Sequence, residues 1–145
     1  MNVADFPGLF FLDTNIFVYA FDATAPIKRE IAQKLIQDSL STRRGVVSSQ
    51  IIQEFFNVAL RKFTRPMAIS HARMYLSVVF LPLCQHFPSI SFYDRALLIR
   101  EETGYSLYDT LVVTAALETE CKFLFSEDMQ DGRIIQGLRI VNPFA

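Results

Sequence analysis

What most constrains the fold of this 145-residue chain is an alternation: short, continuously apolar runs separated by longer stretches with helical periodicity. The runs are residues 9–13 (LFFLD), 45–49 (GVVSS), 121–125 (CKFLF) and 138–144 (LRIVNPF), the last terminated by Pro143. Short apolar runs with no polar alternation are the pattern of strands covered on both faces, as in a parallel sheet. The intervening segments are amphipathic. Pro26 opens IKREIAQKLIQDSL, where Ile27, Ile31, Leu35, Ile36 and Leu40 share a face. QIIQEFFNVALRKF carries Ile51, Ile52, Phe55, Phe56, Val58 and Ala59 on another. Residues 93–103 read as a helix stopped by Gly104, and SLYDTLVVTAALETE as one capped by Ser106. The stretch from 68 to 90, with Pro82 and Pro88, is expected to hold one helix followed by a loop or short strand. Strands alternating with helices indicate an α/β fold with a mainly parallel sheet and right-handed crossovers.

Hydrophobic residues make up 51% of the chain and no Pro/Gly/Ser-rich linker divides it, so one domain over residues 1–145 with a full apolar core is expected. The longest apolar stretches, such as SVVFLPLC, fall well short of the roughly 20 residues of a membrane helix. Asp5 precedes the first apolar run without any Lys or Arg, unlike a secretory signal. These features predict a soluble, cytoplasmic protein, with Cys84 and Cys121 as reduced thiols beside apolar neighbours. The net charge of −1 gives no overall basic field, but a carboxylate cluster that binds cations would mask local basic patches.

In open parallel sheets, ligands bind beyond the carboxyl ends of the strands. Four acidic residues fall on that edge. Asp13 ends the first strand, Glu54 lies in the first turns of the helix after the second, Asp109 lies in the first turn of SLYDTLVVTAALE, and Asp128 follows CKFLFSE. Each also has a local explanation. Asp13 could cap the helix that begins near Asn15, Asp109 could complete a capping box with Ser106, Glu54 could pair with Arg61, and Asp128 could be a loop residue. Taken together the local readings weaken, because Asp109 sits among Leu107, Tyr108, Leu111, Val112 and Val113 with no Lys or Arg between Arg100 and Lys122. An unpaired carboxylate in apolar surroundings costs several kcal/mol, which a hard divalent cation such as Mg²⁺ or Mn²⁺ would offset.

Other chemistries have less support. His71 and His86 lack zinc-site spacing and read as structural residues, and the five glycines form neither GxxxxGK[ST] nor GxGxxG. No GxSxG elbow is present. An aspartyl-phosphate enzyme using Asp13 remains open, although haloacid-dehalogenase enzymes usually carry a second Asp two residues on, where this chain has Asn15.

The segments FLDTNIFVYAFD, QEFFNV, GYSLYDTLVVTAALE and LFSEDMQDGRIIQGLRIVNPF, in that order, resemble PIN-domain ribonucleases, particularly VapC-type toxins of prokaryotic toxin-antitoxin pairs. The resemblance covers essentially the whole chain and says least about residues 65 to 92. It implies a three-layer α/β/α domain in which Asp13, Glu54, Asp109 and Asp128 hold Mg²⁺ or Mn²⁺ and cleave RNA. Asn15 and Ser126 match supporting polar positions, and Asp131 an additional or water-mediated ligand. Arg61, Lys62 and Arg65, with Arg43 and Arg44 before the second strand, are candidate phosphate contacts. An antitoxin partner is implied as well. The apolar SVVFLPLC stretch and 14 phenylalanines suggest a homodimer. A catalytically inactive RNA- or protein-binding module is the alternative.

Overall fold

The structure is a computed structural model that describes residues 1–145. In chain order it contains β1 (Phe10–Leu12), α1 (Thr14–Tyr19), α2 (Pro26–Thr42), β2 (Gly45–Ser48), α3 (Ser49–Arg61) and α4 (Ile69–Tyr75). A π-helical turn, Leu76–Phe80, joins α4 to the single turn α5 (Leu81–Leu83). There follow β3 (Cys84–His86), α6 (Ile90–Thr103), α7 (Leu107–Glu118), β4 (Phe123–Phe125), β5 (Ile134–Ile135) and β6 (Leu138–Val141).

The six strands form one sheet in the order β3-β2-β1-β4-β6-β5, parallel throughout except for the β5–β6 hairpin. Right-handed crossovers place α1 to α5 over one face and α6 with α7 over the other, giving three α/β/α layers. The sheet buries β1 completely: Phe10, Phe11 and Leu12 are inaccessible, as expected for a central strand without polar alternation. One core cluster of 35 buried apolar residues runs through all three layers. Its densest part is aromatic, with the Phe55 ring packed against Phe17, Tyr75 and Phe80 at centroid distances of 6.3, 5.3 and 5.5 Å. Gly45 is required by packing, since a Cβ there would lie 2.3 Å from Ser39 Cβ on α2.

The middle of the chain follows the expectation of one helix and a short strand, with the helix prolonged by the π turn. α6 starts three residues earlier than its apolar pattern suggests, because the Ser89 hydroxyl accepts from the Phe92 N–H and caps it. β5 has no sequence signature. It is two residues long, its Ile134 is exposed, and it exists because Gln136 and Gly137, both at positive φ, fold it back onto β6.

His86 is buried and bonded to Glu118 at 2.8 Å, a structural role, whereas His71 is exposed with its edge against Phe21. Arg44 is not free to bind phosphate. Its guanidinium donates to the Val3, Phe6 and Gly8 carbonyls and lies 5.4 Å from the Phe10 ring, at the amino-terminal edge of the sheet. Arg43 caps α2 in the left-handed conformation at that same edge. Cys84 and Cys121 are free thiols. No helix is long and apolar enough to cross a membrane.

Candidate active site

The site grows out of strand register. Leu12 pairs with Phe125 across β1 and β4, so the next residues, Asp13 and Ser126, emerge side by side at the carboxyl edge. Here the strand order reverses: β2 and β3 lie to one side of β1, β4 and β6 to the other, and such a switch point opens a crevice. The Asp13 N–H is still held by the Phe125 carbonyl, at 3.1 Å. Its side chain then takes two bonds, Oδ1 accepting from the Thr14 N–H and Oδ2 from the Ser126 hydroxyl, both at 2.7 Å. Asp13 is thus the N-cap of α1, as its local reading expects, and is buried as well.

The other carboxylates come from α3, α7 and the loop after β4. Glu54, one and a half turns into α3, accepts from the Thr14 hydroxyl on Oε2 and from the Gln50 amide on Oε1, each at 2.7 Å. It has no contact with Arg61, which donates to Asn57 instead. Asp109 is half-buried in the first turn of α7, whose Ser106 cap accepts from the Asp109 N–H. The apolar enclosure expected around it is one-sided: Leu107 and Tyr108 are exposed, and only Leu111, Val112 and Val113 are buried. Asp128 accepts from the Asn15 amide at 3.2 Å. Asp131 lies in the same loop, but its Oδ1 accepts from the Asn142 N–H and secures the C-terminal turn.

Burial pushes the Asp13 carboxyl up to about 6, with the Glu54 and Asp109 charges adding to the rise and the Ser126 and Thr14 bonds opposing it. Asp109 is raised too, first by burial and further by the Asp128 and Glu54 charges. Asp109 thus feels the charges of Glu54 and Asp128, and Asp13 those of Glu54 and Asp109. The four are not drawn together into a ready-made ligand set, since no three of the His, Cys, Asp and Glu side chains stand close enough to enclose an ion. Asp13, Glu54 and Asp128 each accept instead from neutral donors: the Thr14 N–H, the Thr14 hydroxyl and the Asn15 amide.

The donor chemistry nevertheless fits a hard divalent cation, for every group facing the crevice offers oxygen. Three buried side-chain oxygens have no partner within the protein: the Tyr105 hydroxyl and, close to Asp13 in the chain or the sheet, Asn15 Oδ1 and Ser48 Oγ. Asn15 Oδ1 can only accept, and its own amide nitrogen is fixed on Asp128, so the oxygen is left free to ligate a cation or accept from a water. Continuing the β1–β2 register by two residues places Ser48 beside Asp13, on the side away from Ser126.

Sequence reasoning missed Thr14, Gln50 and Ser48. Gln50 carried a signal, four residues before Glu54 on one helix face; Thr14 and Ser48 carried none, because only the folded sheet brings them to the acids. Of the candidate RNA contacts, Lys62 and Arg65 line a groove of about 730 Å³ beside Phe21, Phe63 and His71, whereas Arg61 does not.

An acidic quartet at the switch point of a three-layer α/β/α domain is the arrangement of a PIN domain. The PIN domain family model matches residues 10–131, and the chain belongs to that family. No curated protein sequence matches it. Among solved structures, it is similar to a toxin-antitoxin complex from Klebsiella pneumoniae, with a TM-score of 0.66, 18% identity, and 92% of this chain and 96% of that chain covered. VapBC2 from Rickettsia felis, bound to a DNA fragment from their promoter, gives 0.58 at 17% identity over 91% and 96% of the two chains. The Mycobacterium tuberculosis Sarcin-Ricin loop cleaving toxin VapC20 gives 0.57 at 19% over 82% and 91%. The fold is thus that of VapC-type toxins.

Proposed function

We propose that the protein is a metal-dependent endoribonuclease, the toxin of a toxin-antitoxin pair. What supports this reading is the buried Asp13 carboxyl at the switch point of a PIN domain, with the charges of Glu54 and Asp109 acting on it and that of Asp128 acting on Asp109. Asp13, Asp109 and Asp128 would hold Mg²⁺ or Mn²⁺, with Glu54 as a further ligand or the group that orients the attacking water. A bound ion supplies a water of lowered pKa and stabilises charge on the phosphate. Ser126 and Thr14 fix both oxygens of Asp13, so the carboxylate presents its remaining lone pairs in one orientation. Thr14 and Gln50 do the same for Glu54, leaving it able to take a proton from water without swinging away. Asn15 sets Asp128 and offers its free Oδ1. Lys62 and Arg65 would meet the substrate's phosphates.

RNA cleavage under a Mg²⁺ or Mn²⁺ titration tests the reading. The parent should cleave and EDTA should abolish cleavage, while Asp13→Asn and Asp109→Asn should be inactive though folded. Full metal-dependent cleavage by Asp13→Asn would overturn it. RNA binding without EDTA-sensitive cleavage would favour the inactive module.

Three further features belong to this proposal. An antitoxin partner is supported by structural neighbours solved as toxin-antitoxin complexes. A homodimer is supported by the exposed Leu76, Val78 and Leu81 of the SVVFLPLC region, although Val79, Phe80 and Leu83 of the same stretch are buried; sedimentation at micromolar concentration decides it. A cytoplasmic location suits an enzyme acting on cellular RNA.

A further inference from the structure

The loop after β4 presents three consecutive residues that grip three different parts of the molecule. Ser126 donates to Asp13 at the end of β1, and Asp128 accepts from Asn15 on α1. Glu127, between them, has both oxygens occupied: Oε1 accepts from the Tyr19 hydroxyl and Oε2 from the Lys28 ammonium, each at 2.7 Å. The Lys28 ammonium stands 4.8 Å from the Tyr19 ring and 5.8 Å from that of Phe144, which packs edge-on against Tyr19 at 5.0 Å. This contact is partly exposed, at 39% for the Lys28 side chain and 23% for Glu127.

We infer that the Tyr19–Glu127–Lys28 cluster is a clamp that positions Asp128, and that Glu127, with both its oxygens engaged within the protein, is a positioning residue. The inference rests on the metal-dependent reading of the acidic site. Its logic is geometric. The backbone of the loop is pinned on one side by the Ser126 N–H on the Val141 carbonyl. Asp128, itself exposed, is tied to the fold by one longer bond, 3.2 Å, from the Asn15 amide. Without a second anchor at Glu127, the carboxylate repulsion that acts between Asp128 and Asp109 would move the loop outward. Lys28 adds a second effect. Glu127 is a fifth carboxylate beside the quartet, and engaging both its oxygens keeps it from competing as a ligand.

Three variants test this: Glu127→Gln, which is uncharged and keeps one acceptor oxygen where Glu127 offers one to Tyr19 and one to Lys28, Lys28→Met, and Lys28→Arg, which keeps the cation. Two readouts are needed, Mn²⁺ affinity by calorimetry and hydrogen exchange of amides 126–131 in the metal-free protein. The clamp predicts that Glu127→Gln and Lys28→Met weaken Mn²⁺ binding at least fivefold and speed exchange in that loop. Exchange in β1 and β4 should not change. Lys28→Arg should recover most of both losses. In the cleavage assay kcat should fall while KM stays within about twofold. Unchanged exchange and affinity in Glu127→Gln would overturn the clamp with the metal site intact. A parent that binds no Mn²⁺ would overturn the metal reading and the clamp's role in it together, even where exchange shows that the cluster holds the loop.

Discussion

Asp13→Asn probes the electrostatics of the site with almost no change of shape. Burial raises this carboxyl from 3.8 to about 6, so the folded protein holds the proton more tightly than the unfolded chain does. The sign follows by linkage. Above pH 6 the ionised, buried group costs stability, and the cost fades as pH falls through 6 towards 3.8. It amounts to about 3 kcal/mol at pH 7.5 and about 0.5 kcal/mol near pH 4. Asn is neutral and nearly isosteric. Its Oδ1 can still accept from the Thr14 N–H, and its Nδ2 can donate to the Ser126 hydroxyl, which then accepts instead of donating. The metal-free variant should therefore be more stable than the parent by about 2–3 kcal/mol at pH 7.5, or roughly 5–10 °C in Tm for a chain of this size. Near pH 4 the two should be almost equal. Urea unfolding in EDTA at both pH values measures the difference. A variant no more stable than the parent at pH 7.5, or a gain of equal size at both, refutes the argument. Added Mg²⁺ should stabilise the parent and leave the variant unmoved, narrowing the gap.

Other perturbations isolate other parts of the structure. Ser126→Ala removes the hydroxyl that opposes the rise at Asp13, so the pH midpoint of Mg²⁺-induced stabilisation should move up by about one to two pH units, and an unmoved midpoint would show that the bond does not act on the carboxylate. Gly45→Ala forces a Cβ onto Ser39 and should cost about 1–3 kcal/mol at every pH without altering metal affinity; a neutral effect in urea unfolding would mean that α2 can draw back from β2. For RNA binding to the Asp13→Asn protein, Lys62→Ala with Arg65→Ala should lower the slope of log K against log[salt] by about 1–1.5, and an unchanged slope would place the phosphate contacts elsewhere.

Much of this molecule was legible before folding was considered. The apolar runs at Phe10–Leu12, Gly45–Ser48, Phe123–Phe125 and Leu138–Val141 named four strands, because a strand covered on both faces must be apolar without alternation. Capping residues marked helix ends at Ser106 and Gly104. That Asp13, Glu54, Asp109 and Asp128 belong to one edge followed from strand-helix order alone.

What the sequence could not decide is everything that depends on side chains meeting across long separations. Ser126 reaches Asp13, Thr14 reaches Glu54 and Lys28 reaches Glu127 only after the sheet has set its register and the helices their crossing positions. The same dependence sent Arg44 to backbone carbonyls rather than to phosphate, and turned Leu107 and Tyr108 outward from a helix whose pattern is apolar on all sides. Local pattern determines which elements form, since that is a matter of periodicity and backbone caps. Partner choice is a matter of distance, and distance between remote residues is fixed only by packing.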